Sequence, residues 1–331
     1  MTIARGYSAL MIALVALVLV LMAASLVVGP ATITPFEALR ALFRSDGAAT
    51  LVMREIRLPR TLLAVMIGGT LGICGAALQS FLRNPLADSG VLGIGATAAL
   101  GAVVAIYTGL AAAFPLALPL FALVGAILSV LVVLALGGSA GTTTLILAGI
   151  AVASLASALT SLALNLSPSP YAALEIVFWL LGSLSDRSML HVQLAAPFMI
   201  LGWLLIAALG RPLDALTLGH DTAASLGFRM SRVRLLLVLG TASCVGAATA
   251  VAGSISFVGL VVPHMLRPLV GGKASRLLPA SWLGGASLLL AADLAARLVS
   301  PAKDLKLGVV TALVGAPFFL ALVLKSRGRL T

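Results

Sequence analysis

The chain has 331 residues, of which 61% are hydrophobic and only 9% are charged. Soluble proteins carry roughly 25% charged residues. This composition and the mean hydropathy of +1.18 therefore exclude a soluble globular protein and predict an all-α polytopic membrane protein in a lipid bilayer. The formal net charge of +11 comes from basic residues between apolar segments, where they orient helices and contact anionic lipids. It does not indicate nucleic-acid binding.

The first apolar run covers residues 7–28. It is longer than the roughly 7 to 15 residues of a signal-peptide core, so we interpret it as an uncleaved first span rather than a signal peptide. Residues 30–54 follow as an amphipathic periplasmic linker with room for one surface helix. Cys74 and Cys244 lie in apolar segments without a CxxC motif or a nearby histidine. They predict neither a disulfide nor a metal site.

Ten spans are predicted, in a single transmembrane domain over residues 1–331. The second opens at Arg57 and ends before Pro85, because proline cannot continue a helix. The third starts at Gly93, and the others lie at about residues 115–137, 145–166, 191–209, 235–251, 253–264 (short), 278–298 and 307–324. Ten spans put both termini on one side. Lys and Arg are more numerous on the side of residues 210–234, which places that side in the cytoplasm.

Small residues recur every four positions in the second span, at Gly68, Gly72 and Ala76. This spacing lets two helix backbones approach closely in lipid. The start of the third span resembles a dinucleotide fingerprint and residues 137–143 resemble a phosphate loop. The first has no preceding strand and the second has no lysine, so neither predicts a nucleotide site.

A polar stripe runs along one face of the fifth span: Ser154, Ser157, Ser161 and Asn165. Such a stripe either lines a wet pathway or forms hydrogen bonds to neighbouring helices. Residues 167–188 are too short in their apolar part to cross the hydrocarbon layer alone. They predict a re-entrant or surface helix on the periplasmic side, with Trp179 at an interface.

The polar loop of residues 210–234 is the only long charged segment assigned to the cytoplasm. Its residues 218–227 predict a short helix that begins after Gly219, with Asp221 near its N-terminus and Gly227 as its C-terminal cap. Because its side chains are small, as at Ala224, this helix could dock closely into a groove of another protein. The alternative is a loop that only anchors the chain by positive charge. A second short basic helix is predicted at residues 229–234.

Basic residues also cluster at the predicted outer face, where the insertion rule does not require them: Arg54, Arg57, Arg60, Arg297, Lys303 and Lys306. Guanidinium groups bind carboxylates in a bidentate manner, so the cluster predicts an acidic partner, with lipid headgroups as the alternative. Asp293 and Arg297 are spaced to pair on one helix. His264, beside a helix end, is either a cap or a proton relay.

Five motifs occur in order along nearly the whole chain: IRLPR at residues 56–60, Gln79 with RNPLA at 83–87, LAG at 147–149, residues 253–264 ending in FVGLVVPH, and GVVTALVGAPFF at 308–319. Together they closely resemble the FecCD/BtuC-type permeases of type II ABC importers, which carry iron-siderophores, haem or vitamin B12. One departure is Lys306 before Gly308, where the family usually has proline and valine. The departure suggests a less rigid start of the last span.

The resemblance implies a ten-helix subunit that pairs with a second permease subunit, most often as a homodimer. Its further partners would be two ATPase subunits, which bind ATP and Mg, and a periplasmic substrate-binding protein. The permease itself would be non-catalytic and bind no cofactor.

The resemblance also assigns roles to individual positions. ATPase coupling falls on Gly219, Asp221, Ala224, Leu226 and Gly227, and binding-protein docking on Arg57, Arg60 and Arg297. The cytoplasmic gate falls on Asn84, Leu86, Thr142 and Thr143, and the polar stripe Ser154, Ser157, Ser161 and Asn165 is expected to line the pathway.

The predicted function is thus ATP-driven import of an iron chelate or cobalamin across the bacterial inner membrane by alternating access. A secondary transporter driven by protons or sodium is the alternative, but such a mechanism usually needs ionisable residues inside the membrane. Apart from Asp293 near a helix end, the predicted spans contain almost none. A membrane enzyme ranks last, because the spans contain no paired carboxylates, Ser-His-Asp set or metal-ligand cluster.

Overall fold

The computed structural model describes residues 2–29, 31, 33–43, 47–114, 116–137, 142–300 and 304–327. Within these ranges the chain forms helices and connecting turns, with no strand. The α-helices are α1 (Thr2–Val27), α2 (Pro35–Phe43), α3 (Ala48–Leu51), α4 (Leu58–Phe81), α5 (Ile94–Tyr107), α6 (Leu110–Ala113), α7 (Ala117–Gly137), α8 (Thr142–Asn165), α9 (Pro170–Leu180), α10 (Met189–Ala207), α11 (Gly210–Leu216), α12 (His220–Ser225), α13 (Met230–Ala252), α14 (Val258–Leu266), α15 (Ala274–Val299) and α16 (Leu307–Arg327). A π-helix (Val52–Arg57) joins α3 to α4, and 3-10 turns (Ser89–Leu92 and Pro268–Val270) precede α5 and α15.

Seven helical segments of the described chain are long and apolar enough to cross a membrane: Gly6–Val27, Ala48–Phe81, Ala117–Leu136, Thr142–Asn165, Met189–Ala207, Met230–Ala252 and Ala274–Val299. Three shorter apolar helices join them: Ile94–Tyr107, Pro170–Leu180 and Leu307–Leu322. The prediction of an all-α polytopic membrane protein is therefore confirmed. The eighth span, predicted to be short, is a short helix in the structure. Its helix, α14, has nine residues and is about 13 Å long, against a hydrocarbon layer of roughly 30 Å.

The predicted linker of residues 30–54 contains the expected surface helix, α2. Its start carries a capping box, in which Glu37 N donates to Thr34 Oγ1 at 3.3 Å and Thr34 N donates to Glu37 Oε2 at 3.1 Å. The second span begins earlier than predicted, because helical structure is continuous over the 34 residues of Ala48–Phe81. The end of the predicted linker is therefore the first part of a spanning helix.

Helices α4 and α15 pack antiparallel at the centre of the bundle through the predicted small residues. A Cβ atom on Gly68 would lie 2.3 Å from Gly285 O, and one on Gly72 would lie 2.0 Å from Ser281 O. Only glycine permits this backbone approach at both positions, so the predicted close packing of small residues is confirmed.

The helix directions define two ends of the bundle. The arginine end contains the start of α4 and the end of α15, with Arg60 and Arg297. The α12 end contains the end of α4, the start of α15, and α11, which packs against that start through a Ser275 N to Asp214 Oδ1 bond of 3.1 Å. Helix α1 begins near Arg276 at the start of α15, because the Tyr7 hydroxyl donates to the Arg276 carbonyl at 3.5 Å. Helix α16 runs away from the arginine end. Both ends of the described chain therefore lie at the α12 end.

Helix α9 packs against the bundle along one narrow face: Ile176 and Trp179 are buried, whereas Tyr171, Leu174 and Phe178 are exposed. Its C-terminal end meets the segment after α13: a Cβ atom on Gly253 would lie 2.3 Å from Trp179 O, and Ser183 N donates to Ala252 O at 2.8 Å. Trp179 is only 9% exposed. Both alternatives for α9, a re-entrant or a surface helix, stay predictions, and so does the interfacial position of Trp179.

Candidate functional site: a polar face between two ends of the bundle

At the arginine end, Arg57 points into the protein. It is 3% exposed, and its guanidinium donates to the carbonyls of Leu26 and Val27, each at 2.8 Å, and to that of Ala31. The last turn of a helix leaves carbonyl groups without intrahelical partners. Arg57 satisfies such groups at the end of α1, so it acts as a C-terminal cap supplied by another helix.

Arg297 and Arg60 share one buried carboxylate. Asp293 is 0% exposed; its Oδ1 lies 2.9 Å from Arg60 Nη2 and its Oδ2 lies 2.6 Å from Arg297 Nη2. Arg297 also donates to the carbonyl of Ser25 at 3.0 Å and to that of Val28 at 2.9 Å. The expected pairing of Asp293 with Arg297 is confirmed, and α1, α4 and α15 are joined by this network.

These contacts change what the three arginines offer to a partner. Arg57 is buried and the Arg297 side chain is 9% exposed, whereas the Arg60 side chain is 18% exposed. Binding-protein docking stays a prediction for all three. In this conformation Arg57 and Arg297 are occupied inside the protein, and Arg60 presents the largest accessible part of a guanidinium.

Arg60 continues into a second polar cluster. Its Nη1 donates to Ser185 Oγ at 3.3 Å, and Ser185 Oγ donates to Asp304 Oδ1 at 2.7 Å. Asp304 also pairs with Lys306, whose Nζ lies 5.6 Å from the ring centre of Phe178. Partial burial acts to raise the pKa of Asp304, but hydrogen bonds from Lys306 and Ser185 and the nearby positive charges outweigh it and lower that pKa. Lys306 thus has defined partners just before α16.

At the opposite end, α12 is shorter than predicted. It covers His220–Ser225, between Gly219 at φ 115° and Gly227 at φ 89°. Asp221 and Ala224 are exposed, and so are two leucines that flank the helix, Leu218 (67%) and Leu226 (60%). The predicted second basic helix is wrong, because Arg232 and Arg234 belong to the first turns of α13.

The predicted gate residues lie at this same end. Asn84 Oδ1 accepts from Leu86 N at 2.9 Å, which closes a tight turn after α4. Asn84 is exposed and Leu86 is 39% exposed. Thr142 and Thr143 form the first turn of α8, with Thr143 exposed. The loop of residues 138–141 lies outside the described residues.

The serine stripe of α8 faces outward from the single chain. Ser154, Ser157, Ser161 and Asn165 are all exposed, and the Ser161 hydroxyl donates at 3.0 Å to the carbonyl of Ser157 in the same helix. Polar side chains that face lipid along a span are costly. This arrangement therefore favours a wet pathway or a partner protein opposite the stripe.

Irregular backbone lies beside the stripe, between α13 and α14. Ser254 and Ser256 are exposed, and Phe257 has a φ of 68°. Glycines of two other segments contact this break: Cβ atoms on Gly182 and Gly308 would lie 2.3 Å and 2.6 Å from Ser254 O. Exposed non-helical backbone at membrane depth is tolerated only where protein or water covers it.

Two cavities adjoin the break. One of about 710 Å³ lies between α9, α16 and the two serines, and one of about 380 Å³ contains Asp88, Ser157 and Thr249 together with Ser254 and Ser256. We call Ser154, Ser157, Ser161, Asn165, Ser254 and Ser256 the polar face.

Sequence reasoning missed Asp88 and the two serines of the break. Asp88 directly follows the RNPLA motif, and Ser254 follows Gly253; these are the only local signals for them. Within the described ranges, no three or more His, Cys, Asp or Glu side chains are grouped so that they could hold a metal ion. The chemistry of the polar face is that of hydroxyl and carbonyl groups, and the Asp88 carboxylate lies in the adjoining 380 Å³ cavity.

The sequence of this chain is similar to those of known transport proteins. The sequence model of the FecCD transport family matches residues 17–325. The Fe(3+) dicitrate transport system permease protein FecD of Escherichia coli is 38% identical over 88% of this chain and 91% of its own. The vitamin B12 import system permease protein BtuC of Klebsiella pneumoniae is 39% identical over 95% of this chain and 92% of its own.

An uncharacterized ABC transporter permease protein of Bacillus subtilis, YvrB, is 39% identical over 86% of this chain and 82% of its own. Among solved structures, an inward-facing conformation of a putative metal-chelate type ABC transporter has a TM-score of 0.86 and 31% identity. The match covers 95% of this chain and 98% of that chain.

Proposed function

Because the chain belongs to the FecCD transport family, we propose that it is the permease subunit of an ATP-driven importer for an iron chelate or cobalamin. In this role it makes no covalent bonds and binds no cofactor. Two separate ATPase subunits bind ATP and Mg at the α12 end, and a periplasmic binding protein delivers cargo at the arginine end. The α12 end then lies in the cytoplasm, and the membrane is the bacterial inner membrane.

One observation carries this proposal: the two exposed leucines that flank α12. Leu218 and Leu226 are 67% and 60% exposed, in a connection that lies outside the spans, where water would otherwise cover them. Large exposed apolar side chains around a short helix of small residues are suited to a groove of a partner protein. A loop that only anchored the chain by charge would not need them.

The polar face supports the rest of the proposal. A second permease subunit, most simply a second copy of this chain, would cover the exposed break and enclose a wet pathway between two such faces. The hydroxyl and carbonyl groups carry no fixed charge. They would interact weakly with a bulky cargo, which suits a transporter whose specific binding is delegated to a partner.

The test is purification of the chain from its native membrane in mild detergent, with measurement of the co-purifying ATPase. We expect an ATPase in equal amount, and its loss in Leu226→Asp. Leu269→Asp is the matched control, because Leu269 is also 60% exposed but lies in the 3-10 turn before α15. An ATPase bound equally to the Leu226 variant would contradict the assignment of α12.

The alternative of an ion-gradient transporter is not favoured. It predicts that the chain purifies alone and that vesicles containing only this chain transport when a proton or sodium gradient is applied. Transport that requires ATP and the partner subunits, and is indifferent to such a gradient, would exclude it.

A further inference from the structure

Asp88 is half-buried and reaches into the bundle although it belongs to a connecting loop. After α4 ends at Phe81, the chain turns back, so that Asp88 reaches the middle of α4 and the start of α14. A Cβ atom on Gly259 would lie 2.6 Å from Asp88 Oδ1 and 2.9 Å from Leu71 O. Gly259 in turn packs on Gly75, about five turns into α4.

A carboxylate inside a helical bundle is stabilised by positive charge or by hydrogen-bond donors nearby. None of the ion pairs found among the described residues includes Asp88. Its Oδ1 accepts from Ser89 N at 2.7 Å and from Ser89 Oγ at 3.3 Å. It also faces Gly259, the second residue of α14, where the N-terminus of a broken helix concentrates partial positive charge. Asp88 Oδ1 thus packs against the first turn of α14 at Gly259.

The residues around Asp88 touch the predicted gate, the helix α8 that carries the serine stripe, and the neighbouring helix α7. The gate turn of Asn84 and Leu86 precedes it. The 3-10 turn after it is held against α8, because a Cβ atom on Gly149 would lie 2.1 Å from Val91 O, and against α7, because Ser129 Oγ donates to Leu92 O at 3.2 Å. The Asp88 side chain also lines the 380 Å³ cavity beside the polar face.

We propose that Asp88 is a positioning residue for transport: its carboxylate holds the gate turn to the N-terminus of α14, so that the gate and the broken helix move together. The inference rests on the proposed function, because it names a residue that acts within that pathway. Asp88 acts through the gate turn and α14.

The test uses the full-length chain with its co-purified partner subunits in lipid vesicles. A cysteine at Leu86→Cys reports gate accessibility through its rate of reaction with a membrane-impermeant maleimide; Cys74 and Cys244 are both buried. In Asp88→Asn we expect the labelling rate to rise about fivefold or more, and cargo transported per ATP to fall by a similar factor, as for loss of a typical coupling between sites. The melting temperature should not change.

Asparagine retains the oxygen that accepts from Ser89 N. If Asp88 only capped the local turn, Asp88→Asn would therefore leave both the labelling rate and transport unchanged. Unchanged labelling and unchanged transport per ATP in this variant would overturn the proposal. Asp186→Asn is the matched control, since Asp186 is exposed at the arginine end and asparagine tolerates its φ of 57°.

Asp88→Glu provides a second variant if Asp88→Asn does not fold. Glutamate keeps the negative charge but displaces it by one methylene. The labelling rate should therefore rise and the cargo transported per ATP should fall, each by less than in Asp88→Asn. No change in either readout would overturn the proposal. Absence of ATP-dependent transport in the wild-type complex would instead contradict the proposed function, while the labelling rates would still decide the role of Asp88.

Discussion

Arg60 Nη2 lies 2.9 Å from Asp293 Oδ1, and this ion pair joins the start of α4 to the end of α15. The other oxygen of Asp293 is taken by Arg297, so one buried carboxylate serves two guanidinium groups. The network also reaches α1 through Ser25, whose hydroxyl accepts from Arg297 Nη2 at 2.6 Å. The arginine end is therefore a structural joint between three helices as well as a candidate docking surface.

Asp293→Asn should destabilise the protein by about 3 kcal/mol, because removing one partner of a buried pair leaves the remaining charge without compensation. The measurement is thermal unfolding in detergent. Asp304→Asn is the comparison, since its ion pair with Lys306 is much more exposed and such pairs contribute about 1 kcal/mol or less. Equal effects of the two substitutions would contradict the assigned role of Asp293.

Arg57→Lys should loosen the end of α1 even though it conserves the charge. A lysine ammonium lacks the planar fork with which Arg57 reaches three carbonyl groups. We expect faster proteolysis or cysteine labelling near Leu26. Arg54→Lys, at an exposed position in the same π-helix, is the control and should match the wild type.

Arg60→Gln should weaken binding of the periplasmic partner, and the loss should diminish as salt is raised, because accessible charges act largely through long-range attraction. The measurement is the association rate at two ionic strengths. Arg57→Gln is the comparison variant. Because Arg57 is buried and caps the end of α1, this substitution should lower the stability of the protein more than its association rate with the partner. An unchanged association rate for Arg60→Gln would remove Arg60 from the docking surface.

Gly72→Ala should prevent close packing of α4 on α15, since the new Cβ atom would lie 2.0 Å from Ser281 O. Because backbone atoms cannot move away as a flexible side chain can, this overpacking should lower the free energy of unfolding by about 3 kcal/mol or more. Gly90→Ala is the matched control, because nothing lies within 4 Å of a Cβ atom there. Wild-type stability of the Gly72 variant would contradict the observed approach of the two helices.

The attachment of α16 should weaken in acid. The pKa of Asp304 is lowered in the folded protein, so its contribution to stability is present above the usual aspartate value of about 3.9 and is lost as the pH falls through the lowered pKa. Asp304→Asn should therefore have a lower melting temperature than the wild type at pH 7. The difference should disappear in acid, and a difference that persists there would contradict this account.

The sequence by itself determined the class of protein and much of its helical framework. Low charge and high hydropathy require a membrane protein, because no soluble core could bury so much apolar surface. The spacing of Gly68 and Gly72 predicted a close helix contact, since helical periodicity is local and fixes which residues share a face. The gate and coupling residues were named by motif and the serine stripe of α8 by helical spacing, and their transport roles stay predictions.

Only the tertiary structure decided which charges are occupied and where the chain breaks. Arg57 is a basic residue near a helix start in the sequence; that it caps α1 follows from how two helices pack. Asp88 is a loop residue in the sequence, but the fold returns it to the N-terminus of α14. Such contacts join residues far apart in the chain, and local residue pattern carries no information about their partners. They arise because packing satisfies buried polar groups by proximity in space.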